Sequence, residues 1–158
     1  MSSHHTLSHI DDTGQVRMVD VSEKPVTRRV AEASCQVLLS LTTLEQLTHL
    51  PKGDALVVAR LAGIQGAKRT ADLVPLAHPL SLEQVDVELT PGPDGVQIHS
   101  KVIVNARTGA EMEALVACST AALALYDMVK AIERGAEITE LRLERKSGGR
   151  SGDYQRKR

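Results

Sequence analysis

The residues best suited to chemistry lie along one stretch, Glu111-Met-Glu113-Ala-Leu-Val-Ala-Cys-Ser-Thr-Ala-Ala-Leu-Ala-Leu-Tyr126-Asp127-Met-Val-Lys130-Ala. It is rich in alanine and leucine on nearly every side, which predicts a helix packed all round by other protein. Charges in such a setting are costly unless paired. Asp127 and Lys130 are three residues apart and so neighbours on one helix face. A carboxylate beside an amine at the edge of an apolar wall can act as a proton-transfer pair, or it can be a structural salt bridge. Two further carboxylates, Glu111 and Glu113, stand at the other end of the same helix.

Four other segments carry polar groups that folding alone does not demand. Lys146-Ser-Gly-Gly-Arg150-Ser-Gly-Asp153 combines glycines, hydroxyls and cations. Glycines let backbone N–H groups approach an anion, and the cations supply charge, so the segment is either a phosphate-handling loop or a flexible tail. Leu73-Val-Pro-Leu76-Ala77-His78-Pro places one imidazole in a loop stiffened by two prolines, as a packing residue or as a reactive one. Lys52-Gly-Asp54 puts an acid at a helix entrance, as N-cap or first-turn residue, with Lys52 just outside, solvated or aimed at an anion. Arg28 and Arg29 point to opposite faces if their segment is a strand. His4 and His5 have no third ligand nearby and no Cys or His partners His78 at ligand spacing, so no metal site is expected.

Which elements must position these groups? The chain has 158 residues, enough for one domain with a sizeable core. It lacks Trp and Phe and has only Tyr126 and Tyr154, so base stacking on aromatics has almost nothing to work with. The net charge of −1 gives no global attraction to nucleic acid, although six Lys/Arg face one Asp in residues 145–158. Cys35 and Cys118 sit in apolar contexts and read as buried thiols. No leader or membrane-spanning segment is apparent, which favours the cytoplasm.

Residues 1–24 read as a mostly irregular arm with a turn at Asp11–Gly14. A strand is expected over Val26–Leu41, a short helix over Leu41–Leu50, and a longer helix over Asp54–Leu73. Gly63 and Gly66 weaken that second helix unless another backbone packs closely there. Leu82–Leu89 and Val96–Val104 alternate as a hairpin joined by Pro91-Gly-Pro-Asp-Gly95. A long helix over Glu111–Arg134, ended by Gly135, precedes a last strand at Ile138–Leu143. This order predicts an α+β ferredoxin-like sandwich, a four-stranded antiparallel sheet with helices on one face.

These motifs together resemble the molybdenum-cofactor biosynthesis protein C (MoaC) family. The likeness runs from His9-Ile-Asp-Asp-Thr-Gly and Met18-Val-Asp-Val-Ser through Lys52-Gly-Asp, Ala59-Arg-Leu-Ala-Gly-Ile-Gln and Ala67-Lys-Arg-Thr. It continues in Leu76-Ala-His-Pro-Leu, Thr108-Gly-Ala-Glu-Met-Glu-Ala-Leu, Tyr126-Asp-Met-Val-Lys-Ala and the glycine loop. The resemblance implies conversion of 3′,8-cyclo-7,8-dihydro-GTP to cyclic pyranopterin monophosphate and pyrophosphate, a lyase reaction without metal or organic cofactor. It implies a homohexamer, a trimer of dimers, with sites between subunits, a small-molecule nucleotide substrate, and neither nucleic-acid nor membrane partners. It makes Asp127 and Lys130 the acid/base pair. Lys52, Leu76, Ala77, His78, Glu111, Met112, Glu113, Lys146, Arg29 and Arg150 become substrate-binding residues. Ala77 departs from a common family pattern in which a Cys precedes the His, so no thiol is essential there. Arg150 stands where Lys is frequent, which preserves a phosphate contact but not proton transfer.

Overall fold

A computed structural model of the chain describes residues 13–157. His4, His5, the His9–Asp12 part of the first motif and most of the expected Asp11–Gly14 turn lie outside the described residues. From Thr13 to Val26 the chain is largely irregular. The elements that follow are β1 (Thr27–Leu38), α1 (Leu41–Leu44), α2 (Ala55–Lys68), α3 (Thr70–Leu73), β2 (Leu82–Gly92), β3 (Gly95–Ala106), α4 (Glu111–Val129), β4 (Glu137–Ser147) and β5 (Tyr154–Gln155).

Alternation decides which side of the sheet is covered. On β1 the side chains of Ala31, Ala33, Cys35 and Val37 are buried under the helices, as are Val96, Ile98, Ser100, Val102 and Val104 on β3. The opposite face of the sheet is polar, with the Ser34 hydroxyl donating to Glu144 Oε1 at 2.6 Å and Arg142 Nε donating to the same oxygen at 2.7 Å. The sheet runs β2-β3-β1-β4-β5, and every pairing is antiparallel. It therefore has five strands rather than the four expected. After the glycine loop the chain doubles back, pairing Lys146 with Tyr154 and Arg145 with Gln155. Gly148, Gly149 and Gly152, at φ of +89°, +82° and +69°, make that reversal possible.

Three helix limits also differ from expectation. The first helix is only Leu41–Leu44, followed by turns rather than helix up to Leu50. The second stops at Lys68, because Arg69 leaves helical geometry at φ −110°, ψ 15° and only a short turn, α3, follows. The long helix stops at Val129, and Gly135 does not terminate it. Ile132 and Glu133 both donate to the Val129 carbonyl in a tight turn, which the Tyr126 hydroxyl closes by donating to the Arg134 carbonyl at 3.1 Å. Asp54 does cap α2, accepting from the N–H groups of Leu56 and Val57 at 2.9 and 3.2 Å.

Gly63 has the close backbone neighbour expected, whereas at Gly66 the close neighbour is the Thr120 side chain. A Cβ on Gly63 would sit 2.9 Å from the Ala117 carbonyl and 3.1 Å from Ala121 Cβ, so α2 lies directly on α4. The Ser100 hydroxyl, buried beneath α4, donates to the Ala114 carbonyl at 2.7 Å and fixes that helix on β3. By length and composition α4 would suffice to cross a membrane, yet over half of it is buried inside the fold. Its remaining face is open in the single chain, with Met112, Leu123, Asp127 and Lys130 exposed, so it is not packed all round by its own chain.

Replacing Gly63 with Val would force α2 away from α4 and place a β-branched residue in a helix. Gly63→Val should cost at least about 2 kcal/mol of stability, read from the denaturation midpoint. An unchanged midpoint would show that the helix contact is looser than the geometry indicates.

Candidate functional site

A cleft of about 760 Å³ opens where the arm, the start of β1, the 77–80 loop, the N-terminal end of α4 and the glycine loop converge. The start of β1 contributes Thr27 and Arg29. Arg29 lies on the helix side of the sheet, in alternation with the buried Ala31, which settles which of the two arginines faces the cleft. Its Nε donates to the Ala106 carbonyl at 3.1 Å and its Nη2 to the Arg107 carbonyl at 2.9 Å. The guanidinium also lies so close to Gly149 that any side chain there would collide with it. A side chain there would displace the guanidinium, and the φ of +82° itself favours glycine.

The β3–α4 corner supplies Arg107, Thr108, Gly109, Glu111, Met112 and Glu113. Glu111 Oε1 is 3.1 Å from Lys146 Nζ, which in turn donates to the Ser151 hydroxyl at 2.9 Å. Lys146 belongs to β4 rather than to the loop and ties that loop to the first turn of α4. Glu113 is only 3% exposed. Burial, with a smaller push from the charge of Glu111, raises its carboxyl to about 7, so it exchanges a proton near neutral pH.

His78 and Ala77 line the cleft, and Leu76 beside them does not. His78 Nε2–H donates to the Val19 carbonyl at 2.9 Å, which assigns the ring proton to Nε2 when the ring is neutral. The arm itself adds Val19, Val21, Lys24 and Pro25 to the walls. Sequence reasoning missed Lys24, Thr27 and Arg107. Arg107 carried a usable signal, being a cation immediately ahead of a helix entrance.

The other three candidates gather elsewhere. Asp127 and Lys130 lie at the far end of α4, outside the cleft, joined by Lys52 from the turn before α2. Lys130 Nζ is 2.6 Å from Asp127 Oδ1, and Lys52 Nζ is 3.3 Å from Oδ2. About half of each side chain is exposed, so the pair is not buried within one chain. Hydrogen bonds from Lys130 and then Lys52 hold the Asp127 carboxyl below its ordinary range, and the bond to Asp127 raises Lys130. In the single chain this pair is firmly ionised. No cluster of three or more His, Cys, Asp and Glu able to hold a metal exists among the described residues.

Residues 18–149 match the model of the MoaC family. The chain belongs to this family. It is 56% identical over 158 residues to a cyclic pyranopterin monophosphate synthase of Streptomyces griseus subsp. griseus, covering 99% of this chain and 89% of that protein. It is 54% identical over 153 residues to cyclic pyranopterin monophosphate synthase 1 of Mycobacterium tuberculosis, covering 95% of this chain and 90% of that protein. It is 55% identical over 153 residues to the Cereibacter sphaeroides protein of the same name, covering 94% of this chain and 96% of that protein. Within this MoaC-family chain, every candidate residue except Arg150 falls inside the matched span.

Glu113 also makes stability depend on pH. Its carboxyl is raised from 4.5 to about 7 by folding, so the ionised form is disfavoured in the folded protein. Stability should therefore fall as pH rises from about 4.5 to 7 and level off above that. Glu113→Gln removes the ionisation. It should match wild type near pH 4.5 and exceed it by about 2–3 kcal/mol at pH 8. Parallel stability–pH curves for the two proteins would contradict the buried, protonatable state.

Proposed function

We propose that this chain is a cyclic pyranopterin monophosphate synthase, converting 3′,8-cyclo-7,8-dihydro-GTP to cyclic pyranopterin monophosphate and pyrophosphate in molybdenum cofactor biosynthesis. The observation that carries this reading is the match, over 94–99% of this chain, to proteins of that name. The strand order β2-β3-β1-β4, with helices crossing over after β1 and β3, supports a ferredoxin-like core to which β5 is an addition. The reaction is of the lyase type. A hydroxyl attacks the α-phosphorus and gives its proton to a base of the site, the bond to the bridging oxygen breaks, and pyrophosphate leaves.

The cleft suits such a substrate. Arg29 and Arg150, with Lys146 beside them, can hold and neutralise a phosphate chain and its leaving group. Glu113 and His78 can give and take protons while a purine-derived ring is rebuilt as a pterin. Asp127 and Lys130 form the central acid/base pair, assisted by Lys52.

A complete site then requires two chains. Glu113 and Asp127 are fourteen residues apart, about 21 Å along the helix axis. A two-fold pairing of α4 helices would bring the Glu111/Glu113 end of one protomer to the Asp127/Lys130 end of its partner and make two equivalent sites. The outer surfaces of α2 and α4 supply apolar material for that contact. Val57 is 48% exposed, and Leu61 and Leu123 are 61% exposed. Repeating such dimers about a three-fold axis gives the homohexamer.

Incubating the protein with the cyclised GTP intermediate should yield pterin and pyrophosphate in equal amounts, and no turnover would sink the assignment. Lys130→Ala should still bind substrate while losing at least ~100-fold in turnover, the scale of one general acid/base group. Turnover within a few-fold of wild type would remove Lys130 from the mechanism. Mixing inactive Glu113→Ala and Lys130→Ala proteins under subunit exchange should restore activity at one of the two sites of each mixed dimer. Mixtures that stay dead after confirmed exchange would rule out sites shared in this way.

A further inference from the structure

We propose that Lys24, Thr27 and Arg29 form a seat for the phosphate-chain oxygens of the anionic substrate, with Arg107 as the positioning residue that sets its geometry. The inference rests on the nucleotide-triphosphate reading above and extends it to Lys24, Thr27 and Arg107, which that reading does not use. Thr27 and Arg29 are two apart on β1 and therefore project from the same face, into the cleft. The Thr27 hydroxyl oxygen is buried and has no hydrogen-bond partner among the described residues. Buried hydroxyls are nearly always satisfied, so one left open beside a cleft calls for an acceptor brought by the ligand. Phosphate oxygens are acceptors only, and they bind hydroxyl, guanidinium and ammonium donors together.

Arg29 is prepared for the same role. The Ala106 and Arg107 carbonyls take two of its five N–H donors, which fixes the plane of the guanidinium and leaves three for a ligand. Arg107 connects the two flanks of the seat. Its carbonyl accepts from Arg29 Nη2 at 2.9 Å, while its Nε donates to the Lys24 carbonyl at 3.0 Å. One residue at the β3–α4 corner thus holds both the Arg29 side chain and the arm segment that carries Lys24. The carboxylates of the cleft do not oppose an anion here, because Lys146 engages Glu111 and Glu113 is buried in the helix turn beyond it.

Thr27→Val and Arg107→Ala in the full chain test the seat, with titration of inorganic tripolyphosphate as the binding readout. Thr27→Val removes a hydroxyl without changing shape, so its melting temperature should equal or exceed that of wild type. Each variant should bind tripolyphosphate about tenfold more weakly, the scale of one charge-assisted hydrogen bond. Arg107→Lys, which keeps a donor for the Lys24 carbonyl, should recover most of that loss. With the cyclised nucleotide, both variants should raise KM by a similar factor and leave kcat within a few-fold. Binding within twofold of wild type for either variant overturns the seat, as does a wild type that does not bind tripolyphosphate. A wild type that binds tripolyphosphate yet never turns over the nucleotide leaves the seat standing and overturns the assigned reaction instead.

Discussion

Because an α-helix rises 1.5 Å per residue and does not bend back, the carboxylates on the first turn of α4 and the Asp127–Lys130 pair at its end stay about 21 Å apart. The rest of the fold serves to hold this rod in place. Gly63 lets α2 lie directly against it, Ser100 anchors its second turn to β3, and Lys146 ties its first turn to β4 and the glycine loop. A rod so fixed cannot bring its ends together within one chain. What one chain presents is a cleft rich in cations at one end and a compact lysine–aspartate–lysine cluster at the other.

The two ends differ electrostatically for an identifiable reason. Glu113 has lost its water and has no compensating cation beside it among the described residues, so burial raises its carboxyl to about 7. Asp127 keeps its water and has two ammonium groups within 3.3 Å, so pairing lowers its carboxyl and raises Lys130. The buried acid is already poised for proton exchange in the lone chain, and the exposed pair is held in its charged form. Position along one helix thus separates a group tuned by desolvation from groups tuned by charge.

Much of this was legible in the residues, and the remainder was hidden for physical reasons. The Leu82–Val104 hairpin and the Asp54 cap follow from alternation and side-chain chemistry, which act locally. The requirement for a close neighbour at Gly63 also followed, since a glycine in mid-helix is costly without one. Alternation showed that Arg28 and Arg29 face opposite ways, but only the burial of Ala31 and Ala33 on the assembled sheet shows that Arg29 faces the cleft. Lys24, Thr27 and Arg107 escaped notice because each sits at an element boundary or in an irregular stretch, where no periodicity marks a face. β5 escaped for a similar reason. Its two residues carry no strand pattern, and their pairing depends on a reversal that the preceding glycines allow but do not announce.

The ionised state of the Asp127 cluster bears on why a reaction centre would be divided between protomers. A lysine raised by an exposed carboxylate is a poor base, because its proton is held too tightly at neutral pH. Desolvation works in the opposite direction, lowering an ammonium group that loses water faster than it gains partners. Under the proposed pairing of α4 helices, Lys130 would lose water to the partner's cleft, a downward push set against the upward pull of Asp127 and of the substrate's phosphates. Asp127 would move upward by the same desolvation, narrowing the gap between donor and acceptor. Assembly would then do more than bring distant groups within reach. Under that pairing the exposed ion pair of the single chain would become a buried one, where desolvation and charge act on the same two groups.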